Sequence, residues 1–191
     1  VEERPSSKRS GNDSKVMGPN ELPQVLHEIS VALGSPTVVA AIFKKYAEHL
    51  EEQLAAFSPH DTDIPGFRMY ACRDRGEREA LYAHVDALRK LVTIVIYIDL
   101  GGHTSAESPS LWGTKLYDNE NGEYKPYSFS SNNDHRSAYT VSFQENTAFL
   151  MPNSPLALHG VSGGEPGVER RTLMCGYWLF GSEVGQKAAK G

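Results

Sequence analysis

The stretch LYAHVD at residues 81–86, followed at 91–98 by the apolar run LVTIVIYI, carries the strongest structural signal in the chain. In an extended segment the side chains at i, i+2 and i+4 point to one face, so Tyr82, His84 and Asp86 would share a face. The run at 91–98 is far shorter than the ~20 residues that a membrane-spanning helix needs. These segments predict two consecutive β-strands and no membrane span.

Short extended runs separated by Gly, Pro, Asn and Asp continue on both sides of this stretch. The pattern predicts a β core at about residues 67–180, with strands at Phe67–Arg73, Leu81–Asp86, Leu91–Leu100, Gly113–Tyr117, Ser137–Phe143, Ala148–Met151, Leu158–Val161 and Arg170–Phe180. So many short strands favour a double-sheet jelly roll over an alternating α/β sheet. The predicted fold class is therefore mainly β (α+β).

The segment before the β core has helical periodicity. Its apolar residues recur at spacings near 3.6 and predict one helix from Asn20 to Gly34 and a second from Pro36 to about Phe57. We expect both helices to flank the sheets on their outer side.

Domain organisation follows from length and composition. The chain has 191 residues and a mass of 21.0 kDa, enough for one compact domain with a full core. Residues 1–19 are polar, with almost no apolar periodicity, and predict a mobile arm. We expect a similar tail at 184–191 and a single domain at 20–183.

Charge and cysteine content argue against several classes of partner and of structural site. Nineteen Lys+Arg against 24 Asp+Glu give a net charge of −5, which provides no global attraction for a nucleic acid or an anionic membrane surface, so we expect neither as a partner. Cys72 and Cys175 form no CxxC pair, so neither a zinc cluster nor a disulfide framework is indicated. We expect free buried thiols in a soluble cytoplasmic protein.

A candidate metal site follows from a second histidine. His84-Val85-Asp86 alone is a weak signal, but His159 lies where a later strand should begin. Two imidazoles and one carboxylate occupy one face of an octahedral ion and leave three positions open, as in non-haem Fe(II) oxygenases. A structural zinc site would be closed by four ligands and usually contain Cys. The candidate catalytic and metal-binding residues are His84, Asp86 and His159.

A candidate carboxylate site opens the last strand at Arg170-Arg171-Thr172. Residues 170 and 172 share a strand face, so a guanidinium and a hydroxyl could converge on one carboxylate. Taken alone, an arginine at a strand start more often faces solvent. Either arginine could be the anchor, and we favour Arg170 because it gives Arg-x-Thr.

Together these elements resemble the Fe(II)/2-oxoglutarate-dependent dioxygenases, in particular the prolyl-hydroxylase-like branch. The pattern of that family is His-x-Asp, a distal His and an Arg-x-Ser/Thr about ten residues further on. Three further segments are similar to the branch: Val92–Ile98, Gly113–Asp118 and Phe149–Ser154. One departure is Trp112-Gly113, which replaces the usual glycine pair.

The resemblance implies a double-stranded β-helix jelly roll and a reaction. Fe(II) would be held by the three candidate ligands, 2-oxoglutarate by Arg170, Thr172 and Tyr97, and O2 at the remaining position. Ascorbate would be at most a supporting factor. Because the family's halogenases lack the carboxylate that Asp86 provides, hydroxylation of a small molecule, amino acid or peptidyl residue is expected.

Two alternatives remain open from the residues. A cupin-like metal enzyme that does not use 2-oxoglutarate would leave Arg170 and Thr172 without a role. A non-catalytic jelly-roll binding module of the lectin type would make the order of the four motif residues a coincidence. The composition of the polar loops at 102–110 and 118–135 does not indicate a substrate. The sequence also does not predict an oligomeric state.

Overall fold

The computed structural model describes residues 23–57, 63–75, 83–101, 112–119, 137–154, 156–161 and 168–181. The predicted arm at 1–19, the tail at 184–191, Leu81, Tyr82 and most of the two polar loops lie outside the described residues. The single domain at 20–183 therefore stays a prediction.

Within the described residues, three helices precede the sheets. They are α1 (Gln24–Gly34), α2 (Pro36–Lys45) and α3 (Ala47–Phe57). The single helix predicted after Pro36 is thus two helices, because Tyr46 leaves the helical region at φ −110° and ψ 20°. In the described residues no single helix is long and apolar enough to cross a membrane, and α1 with α2 meets the length and composition test only as a pair bent by 56°.

The described strands form two antiparallel sheets, as a mainly β jelly roll requires. Seven strands are assigned within the described residues: β1 (Ile64–Arg75), β2 (Lys90–Asp99), β3 (Thr114–Tyr117), β4 (Ser137–Val141), β5 (Thr147–Pro152), β6 (His159–Val161) and β7 (Glu169–Phe180). One sheet has the order β1-β7-β2-β5 and the other β4-β3-β6. The predicted fold class is confirmed.

Residues 83–86 of the strand predicted at Leu81–Asp86 are described. Ala83, His84 and Val85 take part in isolated β-bridges, and His84 pairs in antiparallel fashion with His159. β6 is only three residues long, and the chain turns at once after Asp86, where the Lys90 amide donates to the Ala87 carbonyl at 2.9 Å. Through His84 the segment pairs with β6 of the β4-β3-β6 sheet.

The core lies on both faces of the larger sheet. Its outer face packs against the helices through a cluster that includes Leu50 of α3 with Ile94 and Leu173. Its inner face, turned toward the second sheet, carries a cluster that includes Val95, Tyr97 and Phe143. The helices therefore cover the outside of the sheet, as predicted, and leave the space between the sheets for a site.

The departure at Trp112 has a backbone consequence. Trp112 is buried with φ of 66°, a conformation that suits glycine better than a bulky residue. The next residue, Gly113, lies so close to the Val141 carbonyl oxygen that a Cβ there would collide with it. The chain therefore keeps one glycine for close packing and places an aromatic ring where the resembled family has the other.

Candidate metal and cosubstrate site

Two histidines lie directly opposite each other in an antiparallel pair, His159 at the start of β6 and His84 on the neighbouring segment. The His84 amide donates to the His159 carbonyl at 2.8 Å, and the His159 amide returns the bond at 2.9 Å. Directly opposed residues of an antiparallel pair point to the same face. Their ring centroids accordingly lie 4.4 Å apart.

Asp86 completes a three-residue cluster. One ligand atom from each of His84, Asp86 and His159 lies within 4.8 Å of the other two. The Asp86 Oδ2 is 3.7 Å from His159 Nε2. Two imidazole nitrogens and a carboxylate oxygen at these separations match the donor set of a facial iron(II) site.

The Asp86 carboxylate is held from the larger sheet. Its Oδ2 accepts hydrogen bonds from Lys90 Nζ at 3.0 Å and from the Thr93 hydroxyl. Burial would raise the pKa of Asp86, but the Lys90 charge, His159 and the hydroxyl outweigh it and bring the pKa down to about 2. The carboxylate is therefore anionic and oriented at neutral pH.

His159 is prepared as a neutral ligand. Burial lowers its pKa to about 4, against the opposing effect of Asp86. Its Nδ1 lies 2.9 Å from the Ala157 carbonyl oxygen, an acceptor that assigns the ring proton to Nδ1. The lone pair is then on Nε2, which faces Asp86, and a carbonyl behind the ring is the usual support of a metal-ligating histidine.

The two neighbouring arginines of β7 lie on opposite faces. Arg170 is 3% exposed and Thr172 is fully buried, whereas Arg171 is exposed and pairs with Glu169 and Asp99. Strand alternation explains the difference. Arg170 and Thr172 thus share the inner face, and Arg171 does not.

Buried donors on this face lack partners. Among the described residues, Nε of Arg170 and Oγ1 of Thr172 have no hydrogen-bond partner. Such groups are costly unless something binds them. Tyr97 lies beside Thr172 in register, its ring is 5.7 Å from the Arg170 guanidinium, and its hydroxyl is 2.7 Å from the Thr114 hydroxyl. The residues present fit a ligand carboxylate.

Sequence reasoning missed three supporting residues. Lys90 and Thr93 bind Asp86, and Asp74 binds Arg170 Nη1 at 2.7 Å. Asp74 lies directly opposite Arg170 in the β1–β7 ladder, which no local motif indicates. Lys90 carried a weak signal, as a lysine four residues after Asp86 at the start of a buried run.

Comparison with solved structures gives matches of low sequence identity. A prolyl-4-hydroxylase from Pseudomonas putida is 15% identical with a TM-score of 0.55, over 90% of this chain and 73% of that chain. A prolyl 4-hydroxylase from Phytophthora capsici is 15% identical with a TM-score of 0.48, over 87% and 45%. The collagen prolyl hydroxylase of Paramecium bursaria Chlorella virus-1, in complex with 2OG, is 13% identical with a TM-score of 0.43, over 88% and 80%.

Neither the protein-family models nor the curated protein sequences give a match. The fold resemblance predicted from the sequence is confirmed by the Pseudomonas enzyme: this chain has a prolyl-hydroxylase-like fold. At such low identity the likeness concerns the fold alone.

Proposed function

We propose that this chain is a non-haem Fe(II)- and 2-oxoglutarate-dependent dioxygenase that hydroxylates a small molecule, an amino acid or a peptidyl residue. The observation that carries the proposal is the convergence of His84, Asp86 and His159 within 4.8 Å. Fold likeness alone would not support an activity. The site supports an activity for two reasons. Its three candidate ligands suit Fe(II), and its unpaired buried hydrogen-bond donors suit a carboxylate of the cosubstrate.

The three ligands divide the work of holding Fe(II). His84 and His159 would provide imidazole nitrogens from two paired segments, and Asp86 would provide the negative charge. Lys90 and Thr93 keep that carboxylate in place. Three protein ligands leave positions for 2-oxoglutarate and O2.

The cosubstrate would be recognised at its far end by the inner face of the larger sheet. Arg170 Nε and the Thr172 hydroxyl can both donate to one carboxylate, which would satisfy two buried groups at once. The Tyr97 ring packs against the Arg170 guanidinium and would form one wall of the cosubstrate site. Bound Fe(II), with 2-oxoglutarate and O2, supplies oxidative decarboxylation to succinate and CO2 coupled to substrate hydroxylation.

The fold neighbours do not identify the substrate, but they indicate which classes of substrate to test. Prolyl hydroxylases are among them, so prolyl peptides belong in the test beside free amino acids and small metabolites. The experiment measures substrate-stimulated succinate formation across that panel, with mass detection of an added oxygen. We expect one class to stimulate turnover, and His84→Ala to abolish it. A folded, iron-loaded protein that forms no succinate with or without substrate would contradict the proposal.

A further inference from the structure

Asp74 introduces a negative charge at the arginine that would bind the cosubstrate. Its Oδ2 accepts a hydrogen bond from Arg170 Nη1 at 2.7 Å, and the two residues lie directly opposite each other in the β1–β7 ladder. The Asp74 side chain is 28% exposed, whereas that of Arg170 is 3% exposed. The guanidinium is therefore already paired with a carboxylate before any ligand arrives.

A second carboxylate at Arg170 must share this single positive charge. Its available donors, Nε of Arg170 and the hydroxyl of Thr172, lie on the same inner face as Asp74. In a partly buried site two carboxylates on one guanidinium repel each other more strongly than in water. An arginine without a carboxylate partner would gain more from binding an anion, since burial leaves its charge uncompensated.

We propose that Asp74 is a specificity-determining residue that lowers the affinity of the site for the second carboxylate of 2-oxoglutarate. The inference rests on the proposed function. It predicts that removal of the charge at residue 74 strengthens binding of a 2-oxo diacid and leaves binding of a 2-oxo monoacid unchanged. A residue that served only to position Arg170 would have the opposite effect on the diacid.

Arg170 has supports that do not depend on the charge of Asp74. Its guanidinium lies over the Tyr97 ring, which is 1% exposed and whose hydroxyl is 2.7 Å from that of Thr114. An asparagine at position 74 also keeps a carbonyl oxygen that can accept from Nη1. Asp74→Asn therefore changes the charge while the arginine stays in place.

The test is calorimetric titration of the full chain, loaded anaerobically with Mn(II), with 2-oxoglutarate and with 2-oxovalerate. The second ligand has a methyl group where 2-oxoglutarate has its distal carboxylate. For Asp74→Asn we expect about tenfold tighter binding of 2-oxoglutarate and no change for 2-oxovalerate. Asp74→Ser should act in the same direction, and Asp74→Glu, which keeps the negative charge, should retain the wild-type affinity.

Asp99→Asn is the matched control, because it removes the same charge beside the exposed Arg171. It should leave both affinities unchanged. Equal or weaker 2-oxoglutarate binding by folded Asp74→Asn, or equal tightening of both ligands, would overturn the inference while the proposed function stands. Metal-loaded wild type that binds no 2-oxoglutarate would overturn both.

Discussion

Arg170 and Arg171 are adjacent in sequence and differ in almost every physical respect. Arg170 is buried, partnered by Asp74 and packed on Tyr97. Arg171 is exposed and pairs with surface carboxylates, an arrangement that contributes little free energy in water. The strand register of β7 alone produces this difference, so the pair offers an internal comparison.

Arg170→Ala should weaken 2-oxoglutarate binding by about 2–5 kcal/mol, a factor of roughly 30 to several thousand, because a buried charge-assisted pair is lost. Arg171→Ala should change binding less than about threefold. Calorimetry on the anaerobic, metal-loaded proteins measures both, with circular dichroism as the check on folding. A large effect of Arg171→Ala alone would place the anchor on the other face of β7.

The two cysteines are free thiols, as predicted; Cys175 is buried and Cys72 half-buried. Burial raises the pKa of Cys72 to about 11 and that of Cys175 to about 12. Only the thiolate reacts. A raised pKa means that folding disfavours the thiolate, so this contribution to stability is present below about pH 9 and is lost as the pH rises toward 11 or 12.

At pH 8 we therefore expect folded Cys72 to react with iodoacetamide at least about 100-fold more slowly than the same thiol in the unfolded chain, and Cys175 more slowly still. Mass spectrometry of time points with and without denaturant gives the rates. Rapid labelling of either thiol in the folded protein would show that its strand is more accessible than the structure has it.

At the scale of elements, the turn from Ala87 to Lys90 connects the candidate metal ligands with the larger sheet. Two buried amides hold it: Gln53 of α3 donates to the Leu88 and Lys90 carbonyls at 2.9 and 2.8 Å, and Asn153 donates to those of Ala87 and Lys90 at 2.8 and 2.9 Å. The Lys90 side chain then reaches back to Asp86. The flanking helix is thereby part of the support of the site.

Lys90→Met should destabilise the metal-free protein by about 3–5 kcal/mol, because the Asp86 carboxylate loses its buried counter-charge. A divalent cation would supply that charge, so the rise in melting temperature on adding Mn(II) should be larger in the variant than in the wild type. Thermal unfolding of both proteins with and without Mn(II) measures the loss of stability and the metal-induced rise in melting temperature.

Lys44→Met is the control, since Lys44 is exposed on α2 and should leave both values unchanged. An equal or smaller metal-induced rise in Lys90→Met would contradict the assigned role of the lysine as counter-charge.

Local sequence pattern predicted these elements where one periodicity dominates, as in β2, which runs from Lys90 to Asp99 and lies within one residue of the predicted bounds at each end. It failed where a single residue interrupts the pattern, as at Tyr46, and where pairing is decided by a distant partner. β1 begins at Ile64 rather than Phe67 because its whole length is paired with β7, up to Phe180 opposite Ile64. No local signal contains that register.

At the scale of the whole molecule, the candidate site lies between the two sheets. His159 belongs to the three-stranded sheet and His84 pairs with it. Lys90 and Thr93 of the four-stranded sheet donate hydrogen bonds to Asp86. The three candidate ligands could be chosen from sequence, because His-x-Asp and a distal His form a pattern of residue types. Asp74 and Gln53 could not, because their roles depend on long-range contacts that only the folded sheets and helices create.

The central claim is that the cluster of His84, Asp86 and His159 binds Fe(II) together with 2-oxoglutarate. The most direct measurement is anaerobic titration of Fe(II) and then 2-oxoglutarate, followed by visible absorption. One ion per chain and a weak charge-transfer band that needs both additions are predicted for the wild type, and neither for His84→Ala or His159→Ala. The same stoichiometry and band in both folded variants would contradict the account.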